Sequence, residues 1–465
     1  MITKLGEKFT HLFLKYMPDA FVFAILLTFL AGLSSYFWMD AKPLDIIVAW
    51  YDGFFDLLSF TMQIVLIIIT GYSIALSPVI KKGIDKLANL IKTPNQVYFF
   101  VVLIGLLFSL VSFGWVVITC VLARALAQRI KGINYPFLIA CVYFSFNGWV
   151  FGLSSTIPLL LNTKKNYLIE AKVLQSTIDT SFTLGSALNI AMIVSFLAIA
   201  PLLLFLLRPK SAKNRELKDL LVDTDGDEVK TIKEEALSLK LPFKAWSDSL
   251  NNSRLLQLLF VTMGMIYIVY HFYSKGLDLN FNIMIFVFLI VGLFLHQTPM
   301  RYVISMKRSS RNISGILFQY PLYAGIMGIM LYSGLGERLG ELLASVATID
   351  TYPFFAYVSG GLVNFAIPSA GGEFAVIGPS IIDAVQEIGS GLSQNQVTAM
   401  ISRASLSVAY GESLSNMLQP FFLLIVMPIM GKGVNLQARD IMGYLVLPFL
   451  VFFILQLCLV LWMPL

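Results

Sequence analysis

Glu373 and Glu412 each stand beside an uncharged run rich in small, polar and helix-breaking residues. Ahead of Glu373 runs Asn364-Phe365-Ala366-Ile367-Pro368-Ser369-Ala370-Gly371-Gly372. Behind Glu412 come Ser413-Leu414-Ser415-Asn416 and then Gln419-Pro420. Two earlier stretches have the same character: Ser112-Phe113-Gly114-Trp115, and Asn147-Gly148 through Ser154-Ser155-Thr156-Ile157-Pro158. All four interrupt apolar runs. An unpaired N–H or C=O is too costly in lipid, so broken helix at membrane depth must be buried in protein or line a watery cavity. Half-helix N-termini offer N–H groups and positive partial charge to an anion, and the freed carbonyls suit a cation. The expected chemistry is capture of a small anion beside a coupling ion, H+ or Na+. Glu412 is the first candidate carrier and Glu373 the second, because an ionisable group at membrane depth is a functional candidate by default. The rival reading of such an acid is a structural carboxylate held by backbone N–H groups. Pro158 and Pro420, taken singly, also read as ordinary kinks.

Enzyme chemistry finds little support. The sequence carries no H-E-x-x-H and no G-x-S-x-G, the spacings that hold zinc or expose a nucleophile. His11, His271 and His296 fall near the edges of apolar runs, and Cys120, Cys141 and Cys458 lie inside them without disulfide or zinc spacing. No metal site and no organic cofactor is expected.

The elements that must position these residues follow from composition. Apolar residues make up 57% of the chain and charged residues only 13%, against roughly 25% charged in a soluble protein. Mean hydropathy is +0.79, and uncharged runs recur at the length of about 20 residues that crosses a bilayer. The chain reads as an all-α polytopic membrane protein. Its net charge of +6 is absorbed by cytoplasmic loops, with no nucleic-acid partner required.

With the N-terminus inside, residues 1–17 form an interfacial helix, and spans follow at about 18–37 and 55–77. The stretch 93–123 must begin and end inside, because Lys81, Lys82, Lys86 and Lys92 precede it while Arg124, Arg129 and Lys131 follow it. It therefore reads as a re-entrant hairpin. Spans at 136–161 and 180–207 complete a first repeat, 18–207. A charged cytosolic linker, 208–254, comes next. Within it Asp223, Asp225, Asp227 and Glu234 have the spacing of a calcium loop, but Glu228 occupies the position that needs Gly, so a solvated linker is expected. A linking span at 255–272 reverses the direction of the second copy, 281–462, with spans at 281–297 and 312–332, a second hairpin at about 352–382, and spans at 396–430 and 441–462. The architecture is an inverted-topology repeat with two re-entrant hairpins and two broken transmembrane helices. Gln63 and Gln319 occupy matching mid-span positions. Two readings stand for them: interhelical hydrogen bonding and a place in the site. Arg403 reads either as an outer-end snorkelling side chain or as a substrate contact.

The chain resembles the AtoE-type short-chain fatty acid transporter family along nearly its whole length. The resemblance rests on Met17-Pro18-Asp19, Asp52-Gly53-Phe54, Met62-Gln63 with Ile69-Thr70-Gly71, the run from Asn364 to Gly372, and Ala409-Tyr410-Gly411-Glu412 with Asn416-Met417 and Gln419-Pro420-Phe421. Relatives lead one to expect an Asn-Trp-Gly-type first tip and a His at position 373, and this chain departs from both. The resemblance implies uptake of acetoacetate, butyrate and similar carboxylates, and a distant likeness to the ion-transporter superfamily. It implies a bacterial cytoplasmic membrane location with lipid as the surrounding partner, and it leaves a homodimer open. Asn364, Ser369, Ser154, Ser155, Thr156, Ser413 and Asn416 would then bind the carboxylate, with Phe113, Trp115 and Phe365 either around the acyl chain or in helix packing. Rival functions are a transporter of another small organic anion, a passive anion channel and an intramembrane enzyme.

Overall fold

A chain that crosses hydrocarbon can satisfy its backbone polar groups internally as helix, and the computed structural model is built of helices. It describes residues 15, 18–56, 58–163, 166–170, 172–222, 231–276, 281–310 and 313–465. Among these the one β-bridge joins Leu221 and Val434. The interfacial helix expected over 1–17 lies outside the described residues except for Lys15, and so do Asp223, Asp225 and Asp227 of the linker. Six helices among the described residues are long and apolar enough to cross a membrane, and two bent pairs reach that length together.

The helices are α1 (Ala20–Trp38), α2 (Pro43–Asp56), α3 (Leu58–Ala75), α4 (Pro78–Leu90), α5 (Pro94–Val111), α6 (Val116–Arg129), α7 (Tyr135–Ser145), α8 (Thr156–Asn162) and α9 (Ala187–Leu207). After the linker come α10 (Arg254–Lys275), α11 (Phe281–His296), α12 (Pro299–Ser309), α13 (Ser314–Tyr332), α14 (Leu335–Ser345), α15 (Tyr352–Val363), α16 (Ala370–Ile388), α17 (Gln394–Ser415), α18 (Leu423–Met430) and α19 (Val446–Trp462). Short polar residues mark the starts. Asp19 accepts the Phe21 N–H at 2.9 Å, Ser186 accepts that of Asn189 at 3.2 Å, and Thr93 with Gln96 closes a capping box on α5.

The sequence reading has plain loops where the structure has the amphipathic helices α2, α4, α12 and α14. Each mixes charged and apolar residues at helical spacing, a pattern that does not stand out beside longer apolar runs. α3 and α4 meet at a 62° bend.

The same order of elements occurs twice, and corresponding helices exchange partners across the halves. α13 packs on α1 where α3 packs on α11, while α18 packs on α6 where α8 packs on α16. The end of α6 returns to the helix that precedes the first hairpin, since Arg129 forms an ion pair with Asp85 on α4.

The linker is anchored at both ends. Its first part reaches the loop after α18, with the Val222 N–H donating to the Gly433 carbonyl at 3.1 Å and the Asn435 N–H to that of Leu220 at 3.3 Å. Its short helix Ile232–Ser238 buries Ile232 and Ala236 against Ile304 of α12, where Glu235 pairs with Arg308. Burial, with Arg308 adding to it, lowers the pKa of Lys81 on the neighbouring α4. α10 packs on α11 and leaves Leu255, Leu259, Met263, Ile266 and Tyr270 exposed, a face suited to lipid.

Candidate functional site

The four interruptions are joined by hydrogen bonds in sequence. At the first hairpin tip, Ser112 ends α5 and the Phe113 N–H donates to the Ser154 hydroxyl at 2.9 Å, while the Leu153 N–H donates to the Leu110 carbonyl at 2.8 Å. The tip is thus fastened to the break between α7 and α8. That break meets its counterpart between α17 and α18, which bend by 46°. Ser413 donates to the Asn147 side-chain oxygen at 3.0 Å, and the Tyr143 hydroxyl donates to the Asn416 carbonyl at 2.8 Å. The second tip completes the chain. Asn364 Nδ2 donates to the Glu412 carbonyl at 3.0 Å, the Ser415 hydroxyl at 2.7 Å and Asn416 Oδ1 at 2.9 Å. Gln419 Nε2 returns to the Asn364 carbonyl at 2.9 Å.

Close helix crossing makes this reach possible. A Cβ on Gly411 would lie 2.0 Å from the Tyr357 carbonyl oxygen, and one on Gly360 would lie 2.3 Å from that of Val408. Only glycine at these two positions lets α15 and α17 approach so far.

A cavity of about 190 Å³ lies among the interruptions, lined by Phe113, Trp149, Thr156, Ser369, Ala370, Gly371 and Phe422. Each of the four contributes to it. Its lining has two characters: Thr156 and the first turn of α16 at Ser369-Ala370-Gly371 on one side, and three aromatic rings on the other. The N-terminal turn of a long helix carries free N–H groups and positive partial charge. Beside the cavity the network has more acceptors than donors. Glu373 and Glu412 are fully buried and within electrostatic reach of each other. Glu412 Oε1 accepts from Asn416 at 3.3 Å. Glu412 Oε2, both Glu373 oxygens, Asn364 Oδ1 and Gln419 Oε1 are buried without a hydrogen-bond partner. Among the described residues no three His, Cys, Asp or Glu side chains cluster as metal ligands.

Of the residues singled out from sequence, Phe113, Thr156, Ser369 and Gly371 line the cavity. Ser112, Ser154, Asn147, Ser413, Asn364 and Asn416 belong to the scaffold around it, and Gly372 donates its N–H to Ser369 at the start of α16. Gly114, Gly148, Ser155 and Pro368 are in the tips and breaks but not on the wall. Trp115 lies edge-on to Phe108, and neither it nor Phe365 lines the cavity. Gln63 stands apart, donating to Asn282 on α11 at 2.8 Å, and Gln319 is buried on α13. Arg403 donates to the Val460 and Met463 carbonyls at 3.1 and 2.8 Å, so it caps the end of α19. It also borders a larger cavity, about 580 Å³, that touches none of the interruptions. Sequence reasoning passed over Trp149 and Phe422 on the wall and Tyr143 in the network, and it placed Ala370 and Gln419 in the interruptions without a role of their own. Their signal was position alone: each lies within or next to an interruption.

The sequence matches the family described as Short chain fatty acid transporter over residues 1–463. It is 33% identical over 449 residues to a protein of Haemophilus influenzae and 34% identical over 445 residues to one of Escherichia coli, each alignment covering 96% of both chains. Both relatives bear the name "Putative short-chain fatty acid transporter". Among solved structures it is similar to the YdaH transporter of Alcanivorax borkumensis, with TM-score 0.41 and 16% identity over 98% of each chain. A second is Neisseria gonorrhoeae MtrF, with TM-score 0.39 and 12% identity over 96% of each chain. With the family match spanning almost every residue, and the helices of a multi-pass membrane protein broken around one small cavity, the chain belongs to the short-chain fatty acid transporter family.

Proposed function

We propose that this protein is a secondary active transporter that carries short monocarboxylates, such as butyrate and acetoacetate, into the bacterial cytoplasm together with H+ or Na+. The observation that carries the reading is the small cavity to which both hairpin tips and both helix breaks contribute. Its volume is below the roughly 300–1,000 Å³ of drug-sized ligand sites and suits an anion of a few carbons. The first turn of α16 and the hydroxyls of Thr156 and Ser369 face the carboxylate, and the aromatic side takes the hydrocarbon. The doubled order of elements supports an inverted repeat that alternates access to this cavity between the two faces, with the hairpins re-entrant and the N-terminus inside.

Energetics require a companion ion. Moving one negative charge into a negative interior costs about 2.3 kcal/mol per 100 mV, so accumulation against the gradient needs at least one cation per substrate. The excess of buried acceptor oxygens around Glu412, Glu373, Asn364 and Gln419 supports a cation there, with Glu412 as principal carrier. Radiolabelled butyrate uptake into proteoliposomes, under imposed proton or sodium gradients, tests both parts. The expected outcome is accumulation driven by one gradient, lost in Glu412→Gln while butyrate exchange persists. Concentrative uptake by that variant with unchanged ion dependence would remove Glu412 from coupling. Flux that never exceeds equilibrium would favour a channel, and conversion of butyrate would favour an enzyme.

A further inference from the structure

The aromatic side of the cavity is a fixed wall. Phe113 lies edge-on to Phe146, Trp149 and Phe422, with ring centroids at 4.6, 5.7 and 5.8 Å. Phe422 also packs against Phe146 at 5.7 Å and Phe421 at 4.9 Å, and Tyr320 of α13 stacks on Phe421 at 4.3 Å. Phe113, Trp149 and Phe422 are all buried, at 4%, 4% and 3% exposure. A ring packed against other rings has no room to yield, because protein interiors are packed at crystal density. A carboxylate drawn to the first turn of α16 therefore extends its chain toward rings that cannot retreat.

We propose that Trp149 and Phe422, one from each broken helix, form the end wall that sets the longest acyl chain the transporter accepts. This rests on the reading of the cavity as the carboxylate site. The role falls to these two because Phe113 does another job. Its ring packs edge-on to Phe146, Trp149 and Phe422 alike, so truncating it loosens the scaffold. Phe422 meets the cavity with a side chain alone, and replacing it by Ala removes the whole ring from the wall. Trp149 packs edge-on to Phe113 and carries the larger ring system.

Affinity should rise about fourfold for each methylene buried, the equivalent of about 0.8 kcal/mol, until the chain meets the wall and then fall. The test is displacement of radiolabelled butyrate from the purified full-length protein by unlabelled acetate, butyrate, hexanoate and octanoate. For the wild type, affinity should peak at a short acid. Phe422→Ala should raise the hexanoate-to-butyrate affinity ratio by up to about fifteenfold, as two more methylenes find space. Phe422→Leu and Trp149→Phe, which keep most of the packing, should move the ratio in the same direction by less. Phe452→Ala removes a ring packed on Phe196 at 4.2 Å away from the cavity, and should lower folded yield without moving the ratio. A ratio within twofold of wild type in both folded Phe422 variants would overturn the end wall while leaving the carboxylate reading intact. Failure of the wild type to bind any of the four acids would overturn both.

Discussion

Thr156 and Asn364 separate binding from scaffold at the level of single side chains. Asn364 places its Nδ2 hydrogens on three acceptors of the opposite break, so Asn364→Ala strands buried polar atoms. Each such loss costs about 1–3 kcal/mol. Its thermal unfolding in detergent should move down markedly, with weaker butyrate binding as a consequence of the displaced tip. Thr156 lies on the cavity wall, and Thr156→Val keeps its shape while deleting the hydroxyl. Butyrate affinity should fall roughly tenfold, the worth of one hydrogen bond to a charged group, while stability changes by no more than about 0.5 kcal/mol. Equal damage in both variants and both measurements would argue that the cavity wall has no binding role. Sequence was informative here about residue type and depth, since polar residues in apolar runs stand out. It was silent about direction. Asn364 and Ser369 lie in one run, yet one points into the second break and the other into the cavity, a difference fixed by where α15 ends and α16 begins.

At the scale of elements, re-entrance of the first hairpin is an expectation from an imbalance between length and charge. The positive-inside bias favours the return of an apolar stretch bounded by basic residues to the side it left, and the Asp85–Arg129 ion pair joins the segments on either side of α5–α6. Cysteines introduced at Lys86 and Lys131 should therefore react with an impermeant maleimide from the same side of the membrane. Labelling from opposite sides would make α5–α6 a full crossing. The amphipathic helices α2, α4, α12 and α14 escaped the sequence reading because length and hydropathy detect segments that face lipid all round, whereas these have one apolar face. The breaks were legible for the opposite reason: clustered Gly, Pro, Ser and Asn weaken a helix at a depth where lipid penalises any unpaired backbone group. What no run of residues reveals is which residues of the two breaks pair, because Ser413 and Asn147 are brought together by packing.

For the molecule as a whole, the linker is a tie with two anchors, one at the loop after α18 and one on α12. Glu235→Ala, by removing the Glu235–Arg308 ion pair, should leave folded yield nearly unchanged, since a partly exposed ion pair is worth about 0–1 kcal/mol, but should expose the Ile232–Ser238 helix to limited proteolysis. A linker resistant to protease in that variant would mean that the contact of Ile232 and Ala236 with Ile304 holds it alone. The exchange of partners between halves has a consequence for synthesis. When the ribosome has made the first half, Arg124 lacks the carbonyls of Ile429, Met430 and Lys432 that it later binds. Tyr143 lacks Asn416, and Asn147 lacks Ser413. Such a half-made chain keeps the Arg124–Tyr135 and Asn147–Phe144 hydrogen bonds but lacks the partners that the second half supplies, a state that membrane quality control recognises. Expressed alone, residues 1–222 should be degraded, and so should 231–465; expressed together from separate messages, each should rescue the other. The protein is finished only when its last third arrives to complete what its first third began.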